Sequence, residues 1–271
     1  MSLEPQPTPG ISSTTPSPSP ADLAPGKPGL LAPVWHTVLI VAILLTNSFF
    51  TARLLSRALE HGTIHSSHRA RLFQYGATIA LELFLLLLVW LGLRINKTKF
   101  RDVIGGRWKT PEDFLIDLAI ASGFWVASSL ILAGLGYMMG LSNPSQINDM
   151  KQRLGPIMPQ IGFEMVAWVA LSCVAGFVEE IIFRGYLQRQ ITAFTGSIYA
   201  GLGLSAIIFG AGHGYEGTRR MFLIAVYGAM FGLLALWRKS LRPGMIAHAW
   251  QDTFAGITYR LLEKFGRLHT L

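Results

Sequence analysis

The stretch GFVEEIIFRGYLQ, residues 176–188, places two adjacent carboxylates and an arginine inside a strongly apolar run. Apolar runs of this kind lie in lipid or in a protein core, where an unpaired charge is costly. On an α-helix, Glu180 and Arg184 are one turn apart on one face, and Glu179 is rotated from Glu180 by about 100°. We therefore expect Glu180 to pair with Arg184 while Glu179 faces a cavity. The alternative for this stretch alone is a hydrated helix end with a snorkelling arginine.

The composition of the whole chain indicates a polytopic membrane protein. Of the 271 residues, 51% are hydrophobic and only 14% are charged, whereas soluble domains carry about 25% charged residues. The net charge is +8, but Lys and Arg lie mostly between apolar runs, as they do at membrane interfaces. We therefore do not expect nucleic acid as a partner.

The chain has a single cysteine, Cys173, which excludes an intramolecular disulfide and a cysteine-based metal cluster. It lies in an apolar segment without a histidine or an acid close by in sequence. We expect it to be a small buried hydrophobic residue and not a nucleophile.

Seven apolar segments are candidates for membrane helices, each of which needs about 20 mainly apolar residues. They are residues 33–52, 72–93, 114–140, 161–183, 197–212, 220–237 and 243–262. The expected fold class is all-α, a polytopic membrane helix bundle of about seven to eight transmembrane helices. Lys and Arg are divided almost equally between alternate loops, so the positive-inside rule leaves the topology open. The oligomeric state also stays open.

Composition divides the chain into five regions. Residues 1–32 are rich in Pro, Ser and Thr and cannot bury a core, so we expect a disordered tail, and they lack the pattern of a secretory signal. Residues 33–141 hold the N-terminal transmembrane helices, 142–160 form a polar connector, 161–262 form the candidate catalytic core, and 263–271 form a C-terminal tail. Small residues concentrate after residue 196 and predict closely packed helices; they are Gly201, Gly203, Gly210, Gly212, Gly228 and Gly232.

Ionisable side chains inside the apolar segments are candidate functional groups, because each costs about 2.5–3.5 kcal/mol at the centre of a membrane helix. Besides the opening stretch, they include His213 after FGAG, and His248 and Asp252 in HAWQD. The latter two are four residues apart on one helix face, where an acid can accept the imidazole N–H and fix its tautomer. Together these groups can take a proton from water and stabilise an oxyanion. They predict hydrolysis inside a membrane cavity.

Three further acids lie in or near the apolar segments. Asp117 and Glu164 are each close to the start of a predicted helix, where the helix dipole favours an acid, and we expect them at the interface. Glu82 lies inside the second segment, in IALELFLLLL. We expect it to face the bundle as a hydrogen-bonding residue, and its role stays open.

Three motifs on consecutive segments resemble those of the CPBP intramembrane proteases, a family that includes the CAAX prenyl protease-like and the Abi or bacteriocin-processing proteins. The resemblance covers roughly residues 160–256. EEIIFR matches E-E-x-x-x-R at Glu179, Glu180 and Arg184, FGAGH matches F-x-x-x-H at Phe209 and His213, and HAWQD matches H-x-x-x-[N/D] at His248 and Asp252.

The resemblance implies glutamate-dependent peptide hydrolysis without a metal or another cofactor. It assigns the activation of water to Glu179 with help from His213, and the stabilisation of the oxyanion to His248 and Asp252. An ionised Asp cannot donate a hydrogen bond to an oxyanion. Asp252 is therefore either kept protonated by burial or acts by orienting His248, and we expect the second; its protonation state stays open. The supporting residues that the resemblance implies are Glu180, Arg184 and Phe209.

Two alternatives to a glutamate-type endopeptidase stay open. An intramembrane zinc protease would bind its metal through His213, His248 and a carboxylate, although the chain lacks an H-E-x-x-H motif. A non-catalytic membrane scaffold, immunity protein or transporter would keep the fold without hydrolysis. The expected partners are membrane lipid and a peptide or protein substrate at the membrane. The expected location is the bacterial cell membrane, with several membrane passes, and the sequence does not name the substrate.

Overall fold

The computed structural model describes residues 29–62 and 67–265, which form a helix bundle without a β-strand in these two ranges. The prediction of an all-α polytopic bundle is confirmed. A π-helical segment, Ile181–Leu187, joins two of the helices, and short 3₁₀ turns occupy Gly155–Ile157 and Gly214–Glu216. The helices are α1 Val34–Glu60, α2 His68–Ile95, α3 Phe100–Ile104, α4 Pro111–Met138, α5 Pro144–Leu154, α6 Gly162–Glu180, α7 Gln188–Thr195, α8 Ile198–Gly212, α9 Thr218–Arg238 and α10 Arg242–Lys264.

Five helical segments of the described chain are long and apolar enough to cross a membrane: α1, α2, α4, the continuous helix Gly162–Thr195, and α9. All seven predicted segments are helical, but the number that qualify is lower than the predicted seven to eight. The apolar helix α8 has 15 residues and spans only about 22 Å, which is less than the hydrocarbon thickness of about 30 Å. The last helix, α10, is not among the five and carries several ionisable residues.

The outer surface of the bundle is apolar and its interior contains charged groups. Phe73, Leu130 and Trp237 are among the large hydrophobic side chains that are exposed, whereas Glu180 and Arg184 are buried. This distribution is the one expected of a bundle whose outer face contacts lipid, where ionisable residues face the interior.

Cys173 is exposed on the outer side of α6, so the expectation that it is buried is wrong. Its neighbour Ser172, together with Ala175 and Gly176, occupies the buried side of the helix. Sequence apolarity does not separate the lipid-facing side of a membrane helix from its packed side, since both are apolar.

Glu164 and Asp117 are buried and ion-paired, which the sequence did not predict. Oε2 of Glu164 accepts a hydrogen bond from the backbone N–H of Gln160 (2.6 Å) at the start of α6, and Oε1 contacts Nη2 of Arg71 on α2 (2.8 Å). Asp117 on α4 is bound by Nε of Arg238 at 3.1 Å. Both acids lie near helix starts as predicted, but arginines from other helices cover them.

Most of the predicted N-terminal tail, residues 1–28, lies outside the described residues, as do residues 266–271 of the predicted C-terminal tail. Leu31 and Ala32, which the sequence assigned to the end of the N-terminal tail, are buried. Their backbone N–H groups donate to Oε1 of Gln190 at 2.7 and 3.3 Å, and Nε2 of Gln190 donates to the carbonyl of Ala32 at 2.7 Å. The segment before α1 is therefore attached to α7.

The small residues of the C-terminal half allow close contact between helices at four of the six predicted positions. A Cβ added to Gly210 on α8 would lie 2.6 Å from the carbonyl oxygen of Met221 on α9, whereas Gly203 and Gly212 have open space around them. Close approach without a side chain is the usual role of glycine in packed membrane helices. The four closely packed positions are Gly201, Gly210, Gly228 and Gly232.

Candidate active site

The three motif segments meet where α6 packs against α10, and α8 reaches them through the π-helical segment and through the ring of Phe209, which lies beside His248. A Cβ added to Gly176 would lie 2.6 Å from the backbone nitrogen of Ala249, so this glycine permits the close approach of α6 and α10. A second contact joins the same helices, because Nε1 of Trp168 donates to the backbone carbonyl of Asp252 at 2.8 Å. These contacts bring the two glutamates at the end of α6 beside the histidine of α10.

The helix changes from α to π directly after its two glutamates. The π-helical segment Ile181–Leu187 contains Arg184 and is buried throughout. Single π turns inside helices are often found at functional sites. The sequence predicted an uninterrupted helix here, because side-chain periodicity carries no signal for one inserted residue in an apolar run.

Glu180 and Arg184 form the predicted ion pair. Nη1 of Arg184 donates to Oε1 of Glu180 at 2.9 Å, and both side chains are 1% exposed. Nη2 of Arg184 donates to the carbonyl of Gly228 at 3.0 Å, and Cζ lies 4.4 Å from the ring centroid of Phe209. A carboxylate, a carbonyl and an aromatic face therefore compensate the buried guanidinium charge.

Three carboxylates surround the imidazole of His248. Nδ1 forms a hydrogen bond with Oε1 of Glu180 at 3.1 Å. Nε2 lies 3.7 Å from Oε2 of Glu179 and 3.8 Å from Oδ2 of Asp252. Because an ionised carboxylate only accepts hydrogen bonds, Nδ1 carries a proton, and the three nearby acids favour the doubly protonated imidazolium. In that form, Nε2–H lies between Glu179 and Asp252.

Asp252 does not make the hydrogen bond predicted for it. Its distance of 3.8 Å from Nε2 of His248 is longer than a hydrogen bond, and Glu180 instead binds the other ring nitrogen. The i, i+4 spacing places Asp252 and His248 on one face of α10, but the position of the imidazole is also set by α6, where Arg184 holds Glu180. The Asp252 side chain is 35% exposed and is the most accessible of the three acids around His248.

Glu179 differs from its neighbour Glu180 in having no compensating donor. Oε2 of Glu179 is buried and has no hydrogen-bond partner among the described residues, and its side chain is 14% exposed. Glu180, by contrast, is bound by both Arg184 and His248. The rotation of one residue along the helix thus separates a carboxylate with two hydrogen-bond partners from one whose buried Oε2 has none among the described residues. The cavity that the sequence predicts in front of Glu179 stays a prediction.

His213 follows the last turn of α8 and has one ring nitrogen that is fixed by the backbone. Nδ1 lies 2.9 Å from the carbonyl oxygen of Phe209, and a carbonyl can only accept, so Nδ1 must carry the proton. In the neutral ring, Nε2 is then a hydrogen-bond acceptor. The Phe209 ring packs against the rings of both His213 and His248, with centroid distances of 5.0 and 5.9 Å.

Two residues that belong to none of the motifs border the site from the 3₁₀ turn Gly214–Glu216. Tyr215 and Glu216 both interact electrostatically with Glu179. Burial raises the pKa of the Glu216 carboxyl above its usual value, and burial also raises the pKa of the Tyr215 hydroxyl. In the sequence these residues do not differ from an ordinary polar loop, because only the tertiary packing of the turn, against α1, α5 and α9, brings them close to the site.

Glu82 on α2 also reaches the site, since its carboxyl interacts electrostatically with Glu179, His248 and Asp252. It is the acid whose role the sequence left open. In the sequence, it is marked by its position in an apolar segment, on the same helix face as the buried residues Leu85 and Val89.

The described part of the chain contains no group of three or more His, Cys, Asp or Glu side chains arranged to hold a metal ion. The ligands considered for zinc, which are His213, His248 and a carboxylate, do not form such a group in this part of the chain.

Comparison with known families identifies the segment that carries the three motifs. Residues 161–254 match the family model Rce1-like, described as type II CAAX prenyl endopeptidase Rce1-like. This part of the chain is similar to the CAAX protease-like family, and the resemblance indicated by the motifs is confirmed. The match supports a CAAX-type intramembrane endopeptidase in general. No curated protein and no solved structure matches the chain.

Proposed function

We propose that this protein is an intramembrane endopeptidase in which Glu179 activates water for attack on a peptide bond. The observation that carries the proposal is the buried, unpartnered Oε2 of Glu179 at 3.7 Å from Nε2 of His248. A carboxylate that accepts no hydrogen bond from the protein is free to take a proton from water. The adjacent Glu180 is unsuited to this role, because Arg184 and His248 already bind it.

In the proposed reaction, the oxygen of water bonds to the carbonyl carbon while Glu179 accepts the released proton. Nε2 of His213, the free acceptor of its ring, binds the same water. Nε2–H of His248 donates to the oxyanion of the tetrahedral intermediate. When this intermediate collapses, the C–N bond breaks and Glu179 returns its proton to the leaving amine. No metal ion or cofactor takes part.

Four further residues are proposed to support these groups without contacting the substrate. Glu180 keeps the proton on Nδ1 of His248, and Arg184 neutralises Glu180. The carbonyl of Phe209 holds the tautomer of His213. Asp252 is proposed to favour the charged form of His248 from 3.8 Å, in place of the orienting hydrogen bond that the sequence predicted.

The proposed substrate is a membrane-associated peptide or protein, and the proposed location is the bacterial cell membrane. The site lies among helices whose outer surfaces are apolar, so a substrate segment must reach it from the lipid or from the membrane interface. The substrate should therefore carry an apolar segment or anchor next to the bond that is cut.

The isosteric variant Glu179→Gln tests the proposal. It removes the base and keeps the shape, so we expect cleavage to fall by about 10²–10⁴-fold with an unchanged melting temperature in detergent. Glu60→Gln, at the exposed end of α1, is the matched control and should cleave normally. Membrane peptides from cells with each variant identify the substrate, because its uncut precursor accumulates only with Glu179→Gln. Wild-type cleavage by Glu179→Gln contradicts the proposal.

Two measurements separate the alternatives. For the zinc protease, metal analysis of the purified protein and a chelator titration are decisive, and we expect full activity in chelator. Loss of cleavage that zinc restores would replace the glutamate mechanism. For the scaffold, the measurement is complementation in cells: Glu179→Gln should fail to complement a deletion strain, whereas a scaffold would still do so.

A further inference from the structure

Glu82 lies on the packed face of α2, towards the proposed site. The buried residues Tyr75, Leu85 and Val89 belong to the same stripe of the helix, with spacings of three, four and seven residues that mark one helical face. A carboxyl on this stripe points into the bundle and not into lipid, as expected for an acid within a membrane helix.

The contacts between α2 and α6 set the level of Glu82 along the bundle. Nε of Arg71 donates to Oε1 of Glu164 at 3.0 Å, across a sequence separation of 93 residues. The rings of Tyr75 and Trp168, one turn further along each helix, pack with their centroids 5.6 Å apart. The two helices therefore run in the same direction, and the same offset of 93 residues places Glu82 level with Ala175 on α6, about one helical turn before Glu179.

Among the carboxyl groups of the described ranges, only those of Glu82 and Glu179 have a buried oxygen, Oε2, without a hydrogen-bond partner. The two groups also interact electrostatically. Two facing carboxylates in a site of low dielectric cannot both stay ionised, and one proton between them removes the repulsion. A proton on one group also supplies the donor that the unpartnered oxygens lack.

We propose that Glu82 is the second carboxyl of the site, a neutral acid that donates a hydrogen bond to the water activated by Glu179. This inference rests on the proposed function. The water donates one hydrogen to Glu179, accepts a hydrogen bond from Glu82, and keeps a lone pair for the carbonyl carbon. The transferred proton moves from water to Glu179 and then to the leaving amine, and Glu82 retains its own proton throughout.

The other ionisable groups around Glu82 each have another role or partner, so Glu82 is the carboxyl group that holds the proton. Glu179, with which it interacts electrostatically, is needed as an anion, and His248 and Asp252 on α10 form a pair of opposite charge that also interacts with it. Arg184 of the π segment is already compensated by Glu180. The 3₁₀ turn Gly155–Ile157 has no ionisable side chain, and α1 has them only near its two ends, at His36, Arg53, Arg57 and Glu60.

Two substitutions at this position separate a hydrogen-bond donor from a structural residue. Glu82→Gln keeps a donor and removes the acid, so kcat at neutral pH should stay within about tenfold of wild type. The acidic side of the pH profile of kcat/KM should also change, because the variant removes one ionisable carboxyl group from the site. Glu82→Leu removes the donor, and kcat should fall about 100-fold with KM unchanged. Glu60→Gln is again the control.

Infrared spectroscopy gives a readout that needs no substrate. The wild-type protein at neutral pH should show the C=O band of a protonated carboxyl group, and this band should be absent in folded Glu82→Gln. A wild-type spectrum without the band, or a band that Glu82→Gln retains, overturns the inference.

The kinetic outcomes distinguish this inference from the function on which it rests. If Glu179→Gln is inactive but Glu82→Gln and Glu82→Leu keep the wild-type pH profile and kcat, Glu82 is a structural residue and only this inference fails. If Glu179→Gln still cleaves, the proposed function fails first.

Discussion

The buried ion pair between Glu180 and Arg184 predicts a strong energetic coupling that a double-mutant cycle can measure. Both side chains are 1% exposed, and Nη1 lies 2.9 Å from Oε1. Arg184→Met leaves the buried Glu180 carboxylate with His248 as its remaining partner, which costs about 3 kcal/mol of unfolding free energy, the lower end of the range for a broken buried ion pair. It also leaves the carbonyl of Gly228 without the donor now at 3.0 Å, an addition of about 1–3 kcal/mol.

Glu180→Gln has the opposite defect, since the guanidinium stays charged while its partner becomes neutral. Because the Gln oxygen still accepts hydrogen bonds, we expect a cost near the lower end of the range, about 3 kcal/mol. The double variant contains neither charge, so it should be less destabilised than the sum of the single variants by about 2–3 kcal/mol. Unfolding free energies from denaturant titration in mixed micelles, followed by circular dichroism, measure all four corners of the cycle.

The control cycle uses a pair with the same spacing and less burial. Nε of Arg153 lies 2.8 Å from Oδ1 of Asp149, also at i, i+4, but the side chains are 22% and 33% exposed. We expect the coupling between Asp149→Asn and Arg153→Met to be below about 1 kcal/mol. Additive costs for the Glu180 and Arg184 variants, within about 0.5 kcal/mol, would refute the view that burial gives this pair its strength.

Three further outcomes follow from the contacts around the site. Gly176→Ala should cost about 1–3 kcal/mol, because its Cβ would lie 2.6 Å from a backbone nitrogen of α10, whereas Gly203→Ala has open space and should leave the melting temperature unchanged. Asp252→Asn and Asp252→Ala should lower kcat/KM similarly, by about tenfold, because both remove a charge 3.8 Å from His248; a large difference between them would restore the orienting role. Burial raises the pKa of Asp149, but hydrogen bonds from Arg220 and Arg153 outweigh this effect and hold the pKa below its usual value. The stability this acid contributes is therefore present above about pH 4 and lost as the pH falls through its lowered pKa. Melting curves of wild type and Asp149→Asn between pH 5 and pH 3 should converge, and a constant difference would contradict this.

The positions of the helices and the ion pair of the opening stretch were both predictable from the sequence. Apolar segments of membrane length locate all seven predicted helices, because the cost of an unpaired backbone in lipid leaves few other structures for them. The i, i+4 spacing likewise predicts the contact of Glu180 with Arg184, since it depends only on the geometry of one helix.

Contacts between helices were not predictable in the same way. The sequence assigned the orientation of His248 to Asp252 on its own helix, but Glu180 from α6 makes that hydrogen bond. It predicted that Cys173 is buried, but the residue faces outward. Helix periodicity determines which residues share a face, but lipid-facing and packed faces are both apolar, so the rotation of each helix follows from packing.

The sequence by itself therefore determined the helices, the residues on each helix face and the chemical character of the motifs. Tertiary structure alone decided which faces meet. It brought Glu82 of α2 into electrostatic contact with Glu179 across a separation of 97 residues, and left the oxygen of each without a partner. The physical reason is that the relative rotation and register of membrane helices are set by close contacts such as Gly176 against Ala249, which involve pairs of residues far apart in the chain.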